Sequence, residues 1–180
     1  MNSLEYKKCL FENAITMASE AHKAQRDKSG EVYILHPLKI SLKLLEKYPD
    51  DYLLATIGVL HDVVEDCAPY YNLKMIEHKF GERVRKGVES LTKRSGESPE
   101  KYLTRIMANE DAIKVKLEDL AHNMNILRLS NLTEDDFVRL KKYRRMHAIL
   151  SKIEFKNGGS DDQCNNNQRE GEDKNRSSDN

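Results

Sequence analysis

Leu60-His61-Asp62-Val63-Val64-Glu65-Asp66 puts one imidazole and three carboxylates into a short stretch of an otherwise apolar run. On a continuous helix His61 and Glu65 are i,i+4, as are Asp62 and Asp66, so each pair shares a face with Cβ atoms about 5–6 Å apart. Carboxylates buried together are unfavourable unless a cation or proton compensates them. A divalent metal meets that need, and the rest of the chain offers further ligands. His36 precedes Pro37, where αR is disfavoured and proline suits a first helical turn, so His36 is expected just before a helix at a rigid chain reversal. Its alternative role is a plain cap. Asp119, His122 and Asn123 fall at i, i+3 and i+4 beside a buried stripe of Ile113, Leu117, Leu120 and Met124. A surface salt bridge is the alternative for Asp119. The set His36, His61, Asp62 and Asp119 is a mixed nitrogen and oxygen site. It suits Mn²⁺, Fe²⁺, Co²⁺ or Zn²⁺ better than Mg²⁺ or Ca²⁺, which prefer all-oxygen shells.

The elements that must position these groups read as helices. Apolar residues at helical spacing predict helices over 4–24, 37–48, 51–66, 72–79, 82–92, 99–109, 112–124 and from Thr133 to about 155. Within them Cys9, Met107 and Phe137 are expected to face inward. Asp51 is expected to cap the central helix, and Thr133-Glu134-Asp135-Asp136 to open the last one as a capping box. Gln25 to Glu31 reads as a polar turn and Val32 to Leu35 as a short extended entry. His22 reads as a structural or solvent-facing group near a helix end, and His78 as exposed. The fold class is all-α, a compact helical bundle over 1–156. Residues 157–180 contain no aliphatic or aromatic side chain, so a disordered tail is expected there.

Bulk properties narrow the function. The chain has 30 Lys+Arg and 30 Asp+Glu, a net charge of zero that argues against a broad nucleic-acid footprint. No apolar run is long enough to span a bilayer and no signal-like segment is present, so a soluble cytoplasmic protein with no membrane partner is expected. Cys9, Cys67 and Cys164 are odd in number, far apart and in no CxxC pattern, which argues against a disulfide framework or a cysteine zinc site. Cys67 reads as a plain small buried residue. A homodimer is left open.

The order His36, His61-Asp62, Asp119 resembles the HD-domain metal-dependent phosphohydrolases. Within them, Ala21-His22, Gln25, Lys28-Ser29-Gly30-Glu31, Tyr33-Ile34 and His36-Pro37 look like the first block of the (p)ppGpp hydrolase domains of the Rel/Spo group and their small single-domain relatives. Leu60 to Asp66 resembles their HDxxED block. Phe80-Gly81, Leu91-Thr92-Lys93 and Val115-Lys116-Leu117 with Asp119 and His122-Asn123-Met124 continue the likeness, over roughly residues 5–150. The resemblance implies an all-helical fold and a Mn²⁺ ion on His36, His61, Asp62 and Asp119. It implies that Glu65 and Asp66 act on the attacking water. Lys28 matches a residue near the nucleotide, Asn123 one that contacts its sugar, and Tyr143 one that lines the pocket.

The implied activity is metal-dependent release of pyrophosphate from guanosine 3′,5′-bis(diphosphate), ppGpp, in the stringent response. Lys93 and Lys116 are further candidates to offset phosphate charge. The chain also departs from the pattern. Asp27 stands where an arginine usually precedes Lys28, with the arginine displaced to Arg26; Val32 replaces a proline; and Glu118-Asp119-Leu120 lacks a basic residue after the last ligand. Another nucleotide or phosphoester, or a non-catalytic nucleotide sensor, is therefore the alternative. No synthetase stretch follows, so alarmone synthesis is not expected.

Overall fold

The computed structural model describes residues 2–128 and 132–158. Among the described residues there are nine α-helices, with α1 at Ser3–Ala21, α2 at Leu35–Lys47, α3 at Tyr52–Leu60, α4 at Val63–Asp66 and α5 at Leu73–Phe80. They continue with α6 at Glu82–Leu91, α7 at Pro99–Met107, α8 at Glu110–Met124 and α9 at Glu134–Gly158. Among the described residues there is no strand, only an isolated bridge between Arg26 and Val32. The all-α expectation is met. The last helix runs past the expected domain end at 156, and residues 159–180, with most of the expected tail and Cys164, lie outside the described residues.

Helix α3 is the axis of the bundle. Every residue from Leu54 to Leu60 is buried, so the helix is apolar all round and must be wrapped by others. Helices α1, α2, α6 and α8 pack on it. Two glycines set how closely they come. A Cβ on Gly58 would lie 2.8 Å from Leu44 Cδ1 of α2, and one on Gly87 of α6 would lie 2.6 Å from Ile57 Cδ1. Asp51 caps α3 by accepting from the Leu54 amide, as expected. Arg83 of α6 then bridges Asp51 and Asp111, tying three helix starts together. Thr133 and Asp136 form the expected cap of α9, with Thr133 donating from both its amide and its hydroxyl to Asp136.

Several expectations need correcting. The helix expected over 51–66 is interrupted: α3 ends at Leu60 and α4 starts at Val63. The His61 ring donates from Nδ1 to Gly58 O at 2.8 Å, the carbonyl a continued helix would offer to the Asp62 amide. His36 is the second residue of α2 rather than the residue before it, because α2 starts with Leu35. Cys9, Met107 and Phe137 are exposed rather than inward. Cys9 and Met107 each sit beside a residue on the true inner stripe, Leu10 and Ile106. Cys67 is partly buried, and its thiol donates to Ala21 O at 3.4 Å. His78 is exposed, as expected, while His22 is buried at the C-terminal cap of α1.

Candidate metal centre and cleft

His36 from α2, His61 from the end of α3 and Asp62 from the break after it bring one ligand atom each within 4.8 Å of one another. Asp119 joins them from α8, with Oδ1 3.3 Å from His36 Nε2. The four groups expected from the sequence thus converge from three helices.

The ring orientations are settled by hydrogen bonds behind them. Since Gly58 O can only accept, His61 Nδ1 carries a proton and Nε2 is the atom turned to the cluster. His61 Nε2 is buried and has no hydrogen-bond partner, although it lies 2.9 Å from Asp62 Oδ2. Two donor atoms that close without a proper hydrogen bond suit a shared cation. Nδ1 of His36 lies 2.9 Å from Nδ1 of His122, so Nε2 of His36 also faces the cluster. A backing partner for each imidazole is the usual arrangement of metal-bound histidines. The His/His/Asp cluster therefore fits a divalent metal.

The carboxylates are held charged. Burial works against the charge on Asp119, but Lys116 donates to its Oδ2 at 2.7 Å and pulls its pKa well below the usual range. Asn123 donates to the other oxygen at 2.5 Å. Burial would also discharge Lys116, yet Asp119 keeps its pKa above the ordinary lysine value. The Tyr33 hydroxyl donates to Asp62 Oδ2 at 2.5 Å, and burial with the neighbouring carboxylate raises that phenol so that it stays protonated.

A cleft of about 370 Å³ opens from this cluster. Glu65 and Asp66 line it, as do His36, Asp62, Asp119, Arg26, Lys28, Asn123 and Tyr143, while the buried His61 is not among its walls. Burial raises the pKa of Glu65, partly offset by the Lys93 amide, which donates to Glu65 Oε2 at 2.6 Å. Asp66 accepts from Gln25 Nε2 at 2.9 Å, and Gln25 Oε1 in turn meets His22 Nδ1 at 2.7 Å. Lys116 lines the cleft, whereas Lys93 is not among its walls and reaches the site through its backbone.

The sequence assigns no site role to His122 or Gln25, and it places Asp136 in a helix cap and Leu140 in an apolar stripe rather than, with Arg139, in the cleft wall. His122 carried a signal in its spacing from Asp119, and Gln25 in its place in the first block.

A family model described as HD domain matches residues 14–128, well over half the chain. The chain belongs to the HD-domain family. This HD domain is 37% identical over 125 residues to a guanosine-3′,5′-bis(diphosphate) 3′-pyrophosphohydrolase of Aquifex aeolicus, covering 65% of this chain and 18% of that protein. It is 34% identical over 152 residues to a probable enzyme of the same name from Synechocystis, covering 73% and 20%. A putative chloroplastic GTP diphosphokinase of Oryza sativa is 31% identical over 170 residues, covering 79% and 19%. The HD domain thus spans about a fifth of the length of these curated relatives. A solved structure described as a metazoan ortholog of SpoT that hydrolyzes ppGpp and plays a role in starvation responses shares the fold. Its TM-score is 0.62 at 24% identity, covering 83% of this chain and 96% of that one. Among the described residues no helix is long and apolar enough to cross a membrane.

Proposed function

We propose that the cleft hydrolyses ppGpp, releasing pyrophosphate from the 3′ position, as a cytoplasmic enzyme acting on a small-molecule nucleotide. The observation that carries this reading is the convergence of His36, His61, Asp62 and Asp119 beside Glu65 and Asp66 in one cleft. The similarity to named pyrophosphohydrolases supports it.

His36, His61, Asp62 and Asp119 would hold a divalent transition metal, with Mn²⁺ the leading candidate. When bound, the metal supplies positive charge to a phosphoryl oxygen and lowers the pKa of a water molecule. Glu65, raised by burial, is the proton acceptor of the pair, a contribution typically worth about 10²–10⁴-fold. Asp66, fixed by Gln25, orients the attacking water. Lys28 and Lys116 offset phosphate charge, Asn123 meets the sugar, and Arg26 and Tyr143 flank the base.

Purified protein with Mn²⁺ is expected to release pyrophosphate from ppGpp, and Asp62→Ala to lose both metal and turnover. Metal binding with no turnover of ppGpp would reject the substrate assignment. Asp27 favours a second reading, since it puts a carboxylate into the cleft wall. In that case a panel of other nucleotides, read for phosphate and pyrophosphate, gives the turnover that ppGpp does not. Binding of ppGpp in calorimetry with no product from any nucleotide would point to a sensor.

A further inference from the structure

We propose that Arg105 is a positioning residue for Glu65, acting through the backbone at the C-terminal end of α6. This rests on the hydrolase reading for Glu65 and deepens it.

The last carbonyls of a helix have no partner within it and must find one elsewhere. At the end of α6 the partners come from α7. The Arg105 guanidinium donates from Nη1 to Glu89 O and to Ser90 O at 3.0 Å, and from Nη2 to Thr92 O at 2.9 Å. The Tyr102 hydroxyl donates to Leu91 O at 2.7 Å. Four successive carbonyls are therefore held by two side chains one turn apart on α7. The Arg105 charge also lies at the negative end of the α6 dipole. Glu97 fixes the guanidinium from the other side, with Oε1 at 3.1 Å and Oε2 at 2.5 Å. Arg105 and Glu97 are largely buried, with side chains 16% and 10% exposed. A pair screened in this way is better ordered than a surface ion pair.

The next donor along the clamped backbone is the Lys93 amide, and it points at Glu65 Oε2 at 2.6 Å. The Thr92 carbonyl held by Arg105 and the Lys93 amide that holds Glu65 are the two ends of one peptide unit. Movement of the carbonyl moves the amide with it, because the peptide group is planar. Arg105 itself is not among the cleft walls, so its influence on Glu65 runs through this peptide.

Lysine at 105 keeps the charge but cannot serve three carbonyls and a carboxylate at once. The test uses the full chain loaded with Zn²⁺, which is diamagnetic, and follows the Lys93 amide proton by NMR. In the wild type this proton should resonate far downfield because it is bonded to a carboxylate. Glu65→Gln should move it upfield and so assign the bond. Arg105→Lys should move it in the same direction. In parallel, kcat for ppGpp with Mn²⁺ should fall about 10- to 100-fold with KM unchanged. Lys93→Pro deletes the amide proton and should reproduce that fall. Thr92 is already extended, at φ −70° and ψ 113°, the conformation preferred before proline. Tyr102→Phe removes the Leu91 bond, along with the hydroxyl's interaction with Lys116, and supplies a second variant should Arg105→Lys fail to fold. A Lys93 amide unmoved in the folded Arg105 or Tyr102 variant, with only the melting temperature lowered, would overturn the proposal. Wild-type protein that leaves ppGpp intact counts against the hydrolase reading, while the amide shift still judges Arg105.

Discussion

His36 and His122 share a proton between their Nδ1 atoms, 2.9 Å apart, and this contact turns Nε2 of His36 toward Asp119 and Asp62. His122 stands one turn beyond Asp119 on α8, so one helix supplies both a candidate ligand and the group that orients another. His122→Phe should weaken divalent-metal affinity about 10–100-fold while the helical content persists. Zn²⁺ titration reads this directly. An unchanged affinity would mean that His36 is oriented by packing alone.

The metal-free centre should compete for protons. Burial alone would lower the pKa of His61, but Asp62 and Asp119 hold it above the ordinary histidine value. A raised folded pKa adds stability that is complete below the unfolded value, and that stability is lost as pH rises through the folded one. Metal binding runs the other way, since it must displace that proton. Affinity should therefore climb with pH across neutrality by up to about tenfold per unit. Calorimetry in buffers of different ionisation enthalpy should show proton release. An affinity flat between about pH 6 and about pH 8 would contradict this.

Gln25 is the only described donor to the Asp66 side chain and is itself fixed by His22. Gln25→Ala should lower kcat for the proposed reaction by about 10–150-fold, corresponding to about 1.5–3 kcal/mol for one hydrogen bond to a charged group. Steady-state kinetics with metal saturating measures it. A kcat at the wild-type level would show that Asp66 needs no such support.

Gly87→Ala tests the packing on α3. The new methyl would lie 2.6 Å from Ile57 Cδ1 and 2.9 Å from its Cγ2. Overpacking of this kind costs about 1–3 kcal/mol, against a helix-propensity gain of about 1 kcal/mol. The net should be a loss of up to about 2 kcal/mol, seen as a fall of several degrees in Tm. Ile57→Val removes Cδ1 and should recover part of it. A Tm raised by Gly87→Ala would mean that α6 can move away from α3 at no cost.

Much of this site was legible because helical periodicity is local. His61, Asp62, Glu65 and Asp66 are close in sequence, and their chemistry is evident on any helical path. Asp119 declared itself by putting a carboxylate on a helix whose other residues form a core stripe. Less legible were the places where one residue's burial depends on which neighbour wins. Cys9 and Leu10 compete for the inner face of α1, and so do Ile106 and Met107 on α7, and a loose apolar stripe does not choose between adjacent residues. The break after Leu60 was also hidden, because it follows from the His61 ring bonding to the Gly58 carbonyl.

By itself the sequence determined the all-α class and the set of ligand-type side chains, since both follow from residue type and spacing. Only the tertiary structure decided that His36 meets His122, and so which of its nitrogens faces the cluster, and that the Lys93 amide reaches Glu65. Those contacts join α2 to α8 and α4 to the loop after α6. Their directions depend on how close-packed helices are turned against one another, and spacing along a single helix carries no record of that.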